Sequence, residues 1–255
     1  MTLFDFDVNE KSINEIDFII GTDEAGRGPA AGGVWASAVC FREDMNQELF
    51  NTLNDSKKLT PKKREALYEP IKENSFWSIK AVTVDKIEEI NILNASLLAM
   101  KYAVEDIINQ LNSKNILTLV DGNKLIKNFI YPQKFIIKGD SKSASIAAAS
   151  ILAKVSRDKY MDKIHSEFPQ YDWIKNKGYL TKTHIEAIQK FGTTKYHRLS
   201  FLKNITKSPQ ENLEAQNLKL FNLWFSTDFA IAPDEIEDFY VAFVVLSSKL
   251  IASPI

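Results

Sequence analysis

The sequence predicts an α/β protein with a mixed β-sheet flanked by helices, and two observations predict it. Short apolar runs rich in β-branched residues, bounded by glycine or polar residues, are typical of strands. Longer segments between them repeat apolar residues every three or four positions, as amphipathic helices do. Strands that come first and then alternate with helices favour a sheet with both antiparallel and parallel pairs.

Five apolar runs are predicted as strands. A glycine-rich turn joins the first two, which predicts an antiparallel opening to the sheet. The last two end in Asp-Gly or Gly-Asp. The runs are FIIGTD (18–23), VWASAVCF (34–41), FWSIKAVTV (76–84), NILTLVDGN (115–123) and KFIIKGD (134–140).

Three helices are predicted between and after these strands. The segment 60–73 begins with Thr60 as N-cap and Pro61 at the first helical position. Apolar residues recur at helical spacing over 95–111. The longest helix, 143–168, opens on serines, and its alanine run lets it lie close against the sheet.

Composition limits the class of protein. The chain has 255 residues, 45% of them hydrophobic, and a net charge of −1, which is −4 over residues 205–255 and +3 over the rest. A mildly basic body suits a polyanionic partner, although a charge of this size is weak evidence for nucleic acid. The lone cysteine, Cys40, excludes internal disulfides and cysteine zinc sites. We expect a cytoplasmic monomer without a signal peptide or membrane span.

Acidic residues lie at the carboxyl ends of three predicted strands. Asp23, Asp121 and Asp140 each follow an apolar run, and Glu24 follows Asp23 directly. Ligand sites of α/β sheets form at this edge, so neighbouring strands would bring these acids together. Oxygen donors without His or Cys favour Mg²⁺ or Mn²⁺, and two such ions can cleave a phosphodiester. Each acid alone can also be an ordinary turn residue, as Asp-Gly at 121–122 often is.

Seven motifs resemble ribonuclease HII in matching order across residues 17–203. The motifs are GTDEAGRGP, NDSKKLT, EINILNASLLAM, VDGN, KGDSKSASIAAASILAKVSRD, KGYLTKTH and HRLSF. The resemblance implies a ribonuclease H-like fold over a catalytic domain, residues 1–203. It also implies an endonuclease that cuts the RNA strand of RNA–DNA hybrids and cuts 5′ to single ribonucleotides in duplex DNA, with roles in ribonucleotide excision repair and DNA replication. The expected products carry a 3′-hydroxyl and a 5′-phosphate.

The resemblance also implies site residues. The catalytic carboxylates would be Asp23, Glu24, Asp121 and Asp140. The first three would hold the metal, and Asp140 would complete a second ion site, giving two Mg²⁺ or Mn²⁺ ions. The implied substrate-binding residues are Gly26, Arg27, Gly28, Lys57, Ser141, Ser143, Tyr179, Thr181 and His184.

Several of these residues also have structural interpretations. In the family, the main chain of Gly26 to Gly28 contacts the 2′-hydroxyl and Tyr179 packs on the neighbouring sugar. The glycines also suit a simple tight turn. Lys57, with Lys58, suits a solvated surface.

The remaining candidates have alternatives of the same kind. Ser141 and Ser143 suit helix N-caps. His184 is interpreted with Thr181 as part of the family motif, either structural or facing phosphate. Arg198 is interpreted as a packing or backbone contact rather than a catalyst.

Residues 204–255 lie outside the resemblance, and we predict an acidic, helical extension after a polar linker at 204–212. A helical pair packed on the body or on itself is the simplest interpretation. The segment QNLKLF (216–221) is also similar to the short peptides that bacterial replication proteins insert into the sliding clamp, although so short a pattern arises readily by chance.

Three other functions were weighed. A ribonuclease HIII-like enzyme would carry an extra amino-terminal domain, whereas about 16 residues precede the first predicted strand. A non-catalytic hybrid-binding protein should have lost one of the carboxylates, and all four are present. A sugar-phosphate enzyme with a glycine loop would need the spacing of a P-loop or dinucleotide motif, which is absent from the sequence.

Overall fold

A computed structural model describes residues 2–46, 53, 59–203 and 205. Five strands form one sheet: β1 (Phe18–Ala25), β2 (Val34–Phe41), β3 (Ser75–Val82), β4 (Ile116–Asp121) and β5 (Gln133–Ile136). Their order in the sheet is β3-β2-β1-β4-β5. Strand β2 is antiparallel to both of its neighbours, β1 and β3, and β4 and β5 run parallel to β1. The mixed sheet predicted from sequence is therefore confirmed.

Seven α-helices accompany the sheet in the described residues. They are α1 (Leu3–Ile13), α2 (Pro61–Glu73), α3 (Val84–Ile90), α4 (Ile92–Gln110), α5 (Ala144–Glu167), α6 (Trp173–Asn176) and α7 (Lys182–Phe191). The three predicted helices correspond to α2, α4 and α5. Thr60 caps α2 as expected, because its side chain accepts a hydrogen bond from the Lys63 amide at 3.3 Å.

The helices cover both faces of the sheet. On one face, α4 packs against β2 and β3 and closes an apolar layer that includes Ile20 and Val104. On the other face, α5 lies across β1 and β2, and its alanines and Ile151 pack with α2. The sheet is buried on both sides, as its nearly continuous apolar strands require.

Close packing of α5 on β1 depends on Gly21. A Cβ atom at this position would lie 2.3 Å from the amide nitrogen of Ile146 and 2.3 Å from the carbonyl carbon of Ser145. Real atoms do not approach so closely, so a side chain would push the helix away from the strand. The alanines of α5 and the glycine of β1 together allow the short distance between this helix and this strand.

Helix α1 is a feature that sequence reasoning missed. It begins at a capping box in which Thr2 and Asp5 exchange hydrogen bonds of 3.1 and 2.6 Å. The helix brings Asp7 to the amino terminus of α5, where Oδ2 accepts the Ser145 amide proton at 2.8 Å. The amino-terminal segment is thus part of the packed unit that includes the sheet.

Two further predictions have different outcomes. None of the helices in the described part of the chain is long and apolar enough to cross a bilayer. The predicted helical extension over 204–255, with its 216–221 segment, lies outside the described residues, as do Lys57 and Lys58.

Candidate active site

Asp23 and Asp121 lie side by side on two neighbouring strands. Thr22 pairs with Val120 in the parallel register of β1 and β4, which sets the next residue of each strand beside the other. Both acids continue the alternating row of side chains that faces α5, because Gly21 precedes Asp23 on the same face of β1. The strands are thus neighbours, which is the condition on which the convergence of these acids depends.

The carboxylates are close enough to perturb one another. Asp23 is only 5% exposed, and burial raises the pKa of its carboxyl group well above its usual range. The charges of Glu24 and Asp121 raise this pKa further, whereas hydrogen bonds from Ser150 and from the Glu24 amide oppose the shift. Charges that repel in a buried position create a site that a cation would stabilise.

Asp140 is placed differently from the prediction. Strand β5 ends at Ile136, and Lys138 adopts a left-handed conformation with φ 55°. The chain then forms a short 3-10 helix, Gly139–Ser141, so Asp140 follows a turn and not a strand. The turn still approaches the other acids, because the Gly139 amide donates to Asp121 Oδ1 at 2.7 Å. The position of Asp23 also differs slightly from the prediction that it ends its strand, since β1 continues two residues beyond it.

The donor chemistry of these residues fits a hard divalent cation. The candidate ligands are all carboxylate oxygens, the donors that Mg²⁺ and Mn²⁺ prefer. Within the described residues, however, no three His, Cys, Asp or Glu side chains are gathered as tightly as a complete metal-ligand set. The carboxylates thus interact through their charges, but they are farther apart than the ligands of a bound metal ion.

A cleft of about 350 Å³ opens beside Asp23, Glu24 and Asp121. The segment Gly26–Arg27–Gly28 and Tyr179 also line it. The tyrosine is 52% exposed, and a Cβ on Gly28 would lie 3.2 Å from its ring. The structure therefore brings three of the four predicted catalytic acids, Asp23, Glu24 and Asp121, into one cleft with the predicted glycine segment.

Basic side chains also line the cleft, and they were not among the site residues predicted from the sequence. Three residues of α5, Ser150, Lys154 and Arg157, line it, together with Arg64 of α2. The α5 residues are separated by four and three positions, so they share one helix face, and this spacing was the signal available in the sequence. Desolvation lowers the pKa of Lys154, which pairs with Asp158. A cleft lined by both cations and carboxylates suits a polyanion held against a cation-dependent centre.

Four predicted substrate-binding residues make structural contacts. Ser143 is fully buried and caps α5 through the Ile146 amide at 3.2 Å. Thr181 caps α7 in the same way. The Ser141 hydroxyl donates to the Lys138 carbonyl at 2.9 Å within its own turn.

The burial of His184 favours the structural one of its two interpretations. Its ring is 0% exposed, so it cannot contact phosphate in this structure. Burial lowers the pKa of His184. The pKa of His197 is lowered to about 4 by burial and by the neighbouring ring of His184. Both rings are therefore neutral near pH 7.

The hydrogen bonds of this buried pair fix its tautomers. Trp173 Nε1 donates to His184 Nε2 at 3.1 Å, so the other ring nitrogen, Nδ1, carries the proton and donates to the Tyr179 carbonyl at 2.9 Å. His197 Nδ1 accepts from the Thr194 amide at 2.9 Å, which leaves its Nε2 to donate to His184 at 3.2 Å. The pair thus holds the backbone of Tyr179 beside the cleft.

Comparison with known proteins gives the family. Residues 20–204 match the family model described as Ribonuclease HII. A ribonuclease HII from Caldicellulosiruptor bescii is 52% identical over 202 residues, which are 78% of this chain and 94% of the relative. This chain belongs to the ribonuclease HII family. It is a type II ribonuclease H, so the interpretation as a non-catalytic binding protein is set aside.

Solved structures confirm the ribonuclease H-like fold. The ribonuclease HII in the PCNA:RNase HII complex from Archaeoglobus fulgidus has a TM-score of 0.59 at 23% identity, covering 74% of this chain and 97% of that one. Bst-RNase HIII in complex with Mn²⁺ has a TM-score of 0.62 at 15% identity, covering 72% and 66%. At these identities the likeness concerns the fold alone.

Proposed function

We propose that this ribonuclease H cuts the RNA strand of RNA–DNA hybrids and cuts 5′ to single ribonucleotides in duplex DNA, leaving a 3′-hydroxyl and a 5′-phosphate. The observation that carries the proposal is that Asp23, Glu24 and Asp121 line one cleft, where the charges of the other two act on the buried Asp23. The four proposed catalytic groups are Asp23, Glu24, Asp121 and Asp140. Such an activity would serve ribonucleotide excision repair and DNA replication in the cytoplasm.

Asp23, Glu24 and Asp121 would hold a divalent cation, Mg²⁺ or Mn²⁺, with Asp140 completing a site for a second ion. When bound, such ions supply an activated water and stabilise the leaving oxygen of a phosphodiester. The support for this role is that burial, and then the charges of Glu24 and Asp121, raise the pKa of Asp23. The Mn²⁺ complex of Bst-RNase HIII is consistent with it.

The residues of the chain would divide the remaining work between them. Lys154 and Arg64 line the cleft and would position phosphates of the bound strands. The segment Gly26–Arg27–Gly28 would approach the ribose closely, because its glycines carry no side chain. Since only the 2′-hydroxyl distinguishes ribose from deoxyribose, rigid backbone groups within hydrogen-bond reach of it provide the selection. Tyr179 would pack on the neighbouring sugar.

One assay tests this function directly. A DNA duplex with one embedded ribonucleotide is incubated with Mg²⁺, Mn²⁺ or a chelator, beside an RNA–DNA hybrid and an all-DNA duplex. We expect metal-dependent cutting of the first two and none of the all-DNA control. Cutting of the all-DNA duplex at a similar rate would refute the proposal.

A variant tests the catalytic acid separately from binding. Asp23→Asn should retain hybrid binding and lose most cleavage, because phosphate contacts remain while the negative charge that attracts the cation is gone. The measurement pairs an electrophoretic binding assay with a single-turnover cleavage assay. Full cleavage by Asp23→Asn would remove this carboxylate from the proposed catalytic set.

A sliding clamp is the proposed protein partner, through residues 216–221. The complex of an archaeal ribonuclease HII with PCNA is what favours it. Binding of the purified clamp to the full chain and to a chain ending at residue 204 tests it. Binding that survives the truncation, or no binding to the full chain, would remove the proposal.

A further inference from the structure

Arg198 holds the carbonyl groups of the glycine segment from behind. Its side chain is 0% exposed. Nη2 donates to the Gly26 carbonyl at 2.7 Å, Nη1 to the Arg27 carbonyl at 3.1 Å, and Nε to the Gly32 carbonyl at 2.9 Å. One planar guanidinium therefore fixes two consecutive peptide units and the end of the same loop. A lysine has a single ammonium and does not offer this fork geometry.

The direction of these carbonyls determines the direction of the next amides. No peptide bond among the described residues is cis, and in a trans peptide the C=O and the following N–H point in opposite directions. Because the Gly26 and Arg27 carbonyls face the buried guanidinium, the amides of Arg27 and Gly28 face away from it. Both residues are exposed and line the cleft, and neither amide donates a hydrogen bond within the described residues.

The surrounding backbone makes this arrangement rigid. The Ala30 amide donates to the Gly178 carbonyl at 2.9 Å, and the Arg198 amide donates to the Ala30 carbonyl at 2.8 Å. Gly26 has φ 98°, a conformation that residues with a side chain rarely adopt. The loop is thus tied through Ala30 to the segment that also carries Tyr179 and to the backbone of Arg198.

We propose that Arg198 is a positioning residue that aims the amides of Arg27 and Gly28 at the 2′-hydroxyl of the ribonucleotide and so sets the preference for ribose over deoxyribose. This inference rests on the proposed function, because it assumes that residues 26–28 read the sugar. It adds that the selectivity depends on a residue that touches no substrate. Removing the guanidinium should weaken sugar selection more than it weakens general duplex binding.

The test measures binding in a cleavage-defective background. The dissociation constant of Asp23→Asn is measured for a duplex with one ribonucleotide and for the same all-DNA duplex. The ribose preference is the constant for the all-DNA duplex divided by the constant for the duplex with one ribonucleotide. Adding Arg198→Lys should reduce this ratio about tenfold, the effect of losing roughly one well-placed hydrogen bond, and Arg198→Met should reduce it further. The constant for all-DNA duplex should change less than threefold, as expected for contacts that remain in place.

Tyr171→Phe provides a matched control. The Tyr171 hydroxyl donates to the Gly192 carbonyl at 2.8 Å, so this change also removes a hydrogen bond from a buried side chain to backbone but involves no atom of residues 26–28. Circular dichroism and thermal unfolding are recorded for every variant. We expect Tyr171→Phe to lower thermal stability and to leave the ribose preference unchanged. If Arg198→Met does not fold, Arg198→Lys alone decides.

The outcomes separate the two proposals. A ribose preference that is unchanged in Arg198→Lys, or that falls equally in Tyr171→Phe, overturns the role of Arg198. A parent protein that shows no ribose preference overturns sugar reading by residues 26–28, and the positioning role with it. A reduced preference confined to the Arg198 variants supports the inference.

Discussion

Asp7 should make the stability of the enzyme fall as the pH rises from about 4 to about 6. The carboxyl group is 9% exposed, and although its Oδ2 accepts the Ser145 amide proton, its buried Oδ1 has no hydrogen-bond partner. Burial raises the pKa of Asp7 from 3.8 to about 6, outweighing the hydrogen bonds from Ser143 and Ser145 that lower it.

The magnitude follows from the two pKa values. Between them the folded state binds more protons than the unfolded state, so the free energy of unfolding decreases as the pH rises through this window. A shift from 3.8 to about 6 corresponds to about 3 kcal/mol lost by pH 7 relative to pH values below 3.8. Above pH 6 the contribution is constant.

Asp7→Asn isolates this contribution. Urea unfolding of both proteins at pH 4, 5, 6 and 7 gives the difference in unfolding free energy at each pH, and other titrating groups cancel in that difference. The variant should gain up to about 3 kcal/mol relative to the parent between the lowest and highest pH, whatever the constant offset from its amide group.

Asp5→Asn is the control, because hydrogen bonds with the Thr2 backbone and side chain lower the pKa of Asp5. The difference in unfolding free energy between Asp5→Asn and the parent should therefore change with pH in the opposite sense. A difference for Asp7→Asn that does not vary with pH would refute the reasoning.

Three further predictions concern the packing and the cleft. Gly21→Ala should lower the free energy of unfolding by about 2 kcal/mol, because its Cβ would lie 2.3 Å from backbone atoms of α5, and an unchanged urea midpoint would contradict this. Tyr179→Ala should slow cutting at a single ribonucleotide more than cutting of a continuous hybrid, with Tyr179→Phe near the parent in both assays, and equal losses would count against its part in sugar contact. A chelator should abolish cleavage while hybrid binding in the electrophoretic assay persists, and cleavage that survives it would exclude a divalent cation.

The strands and the first carboxylates could be predicted because their signals are local. Each strand is a continuous apolar run, and a sheet buried on both faces requires such runs. Asp121 ends its strand as predicted, and the neighbouring order of β1 and β4 brings Asp23 to it. The prediction that Asp140 ends a strand is wrong, because the chain turns at Lys138, which has a left-handed backbone. A lysine seldom adopts this conformation, so the sequence gives no sign of the turn.

The buried contacts behind the cleft could not be predicted in this way. His184 and His197 are 13 positions apart, and Arg198 is 166 to 172 positions from the carbonyls that it binds. No periodic pattern connects residues so distant, so only the folded chain shows their pairing. Helix α1 was different, since its Thr2 and Asp5 capping box has a local signature that was available in the sequence.

The two halves of the cleft are therefore fixed by different means. Sheet register sets Asp23 beside Asp121, and this arrangement depends on neighbouring strands. The segment 26–28 depends instead on Arg198 and on the loop that carries Tyr179. The hydrogen bonds of Arg198 described above end on backbone carbonyls rather than on the carboxylates, although the Arg27 guanidinium reaches Glu24 Oε1 at 3.3 Å and so joins the two halves. A change at Arg198 should therefore weaken the choice of sugar more than the geometry of the carboxylates, and a change at Asp23 should do the reverse. Chemistry and selectivity would then be separable properties of one cleft.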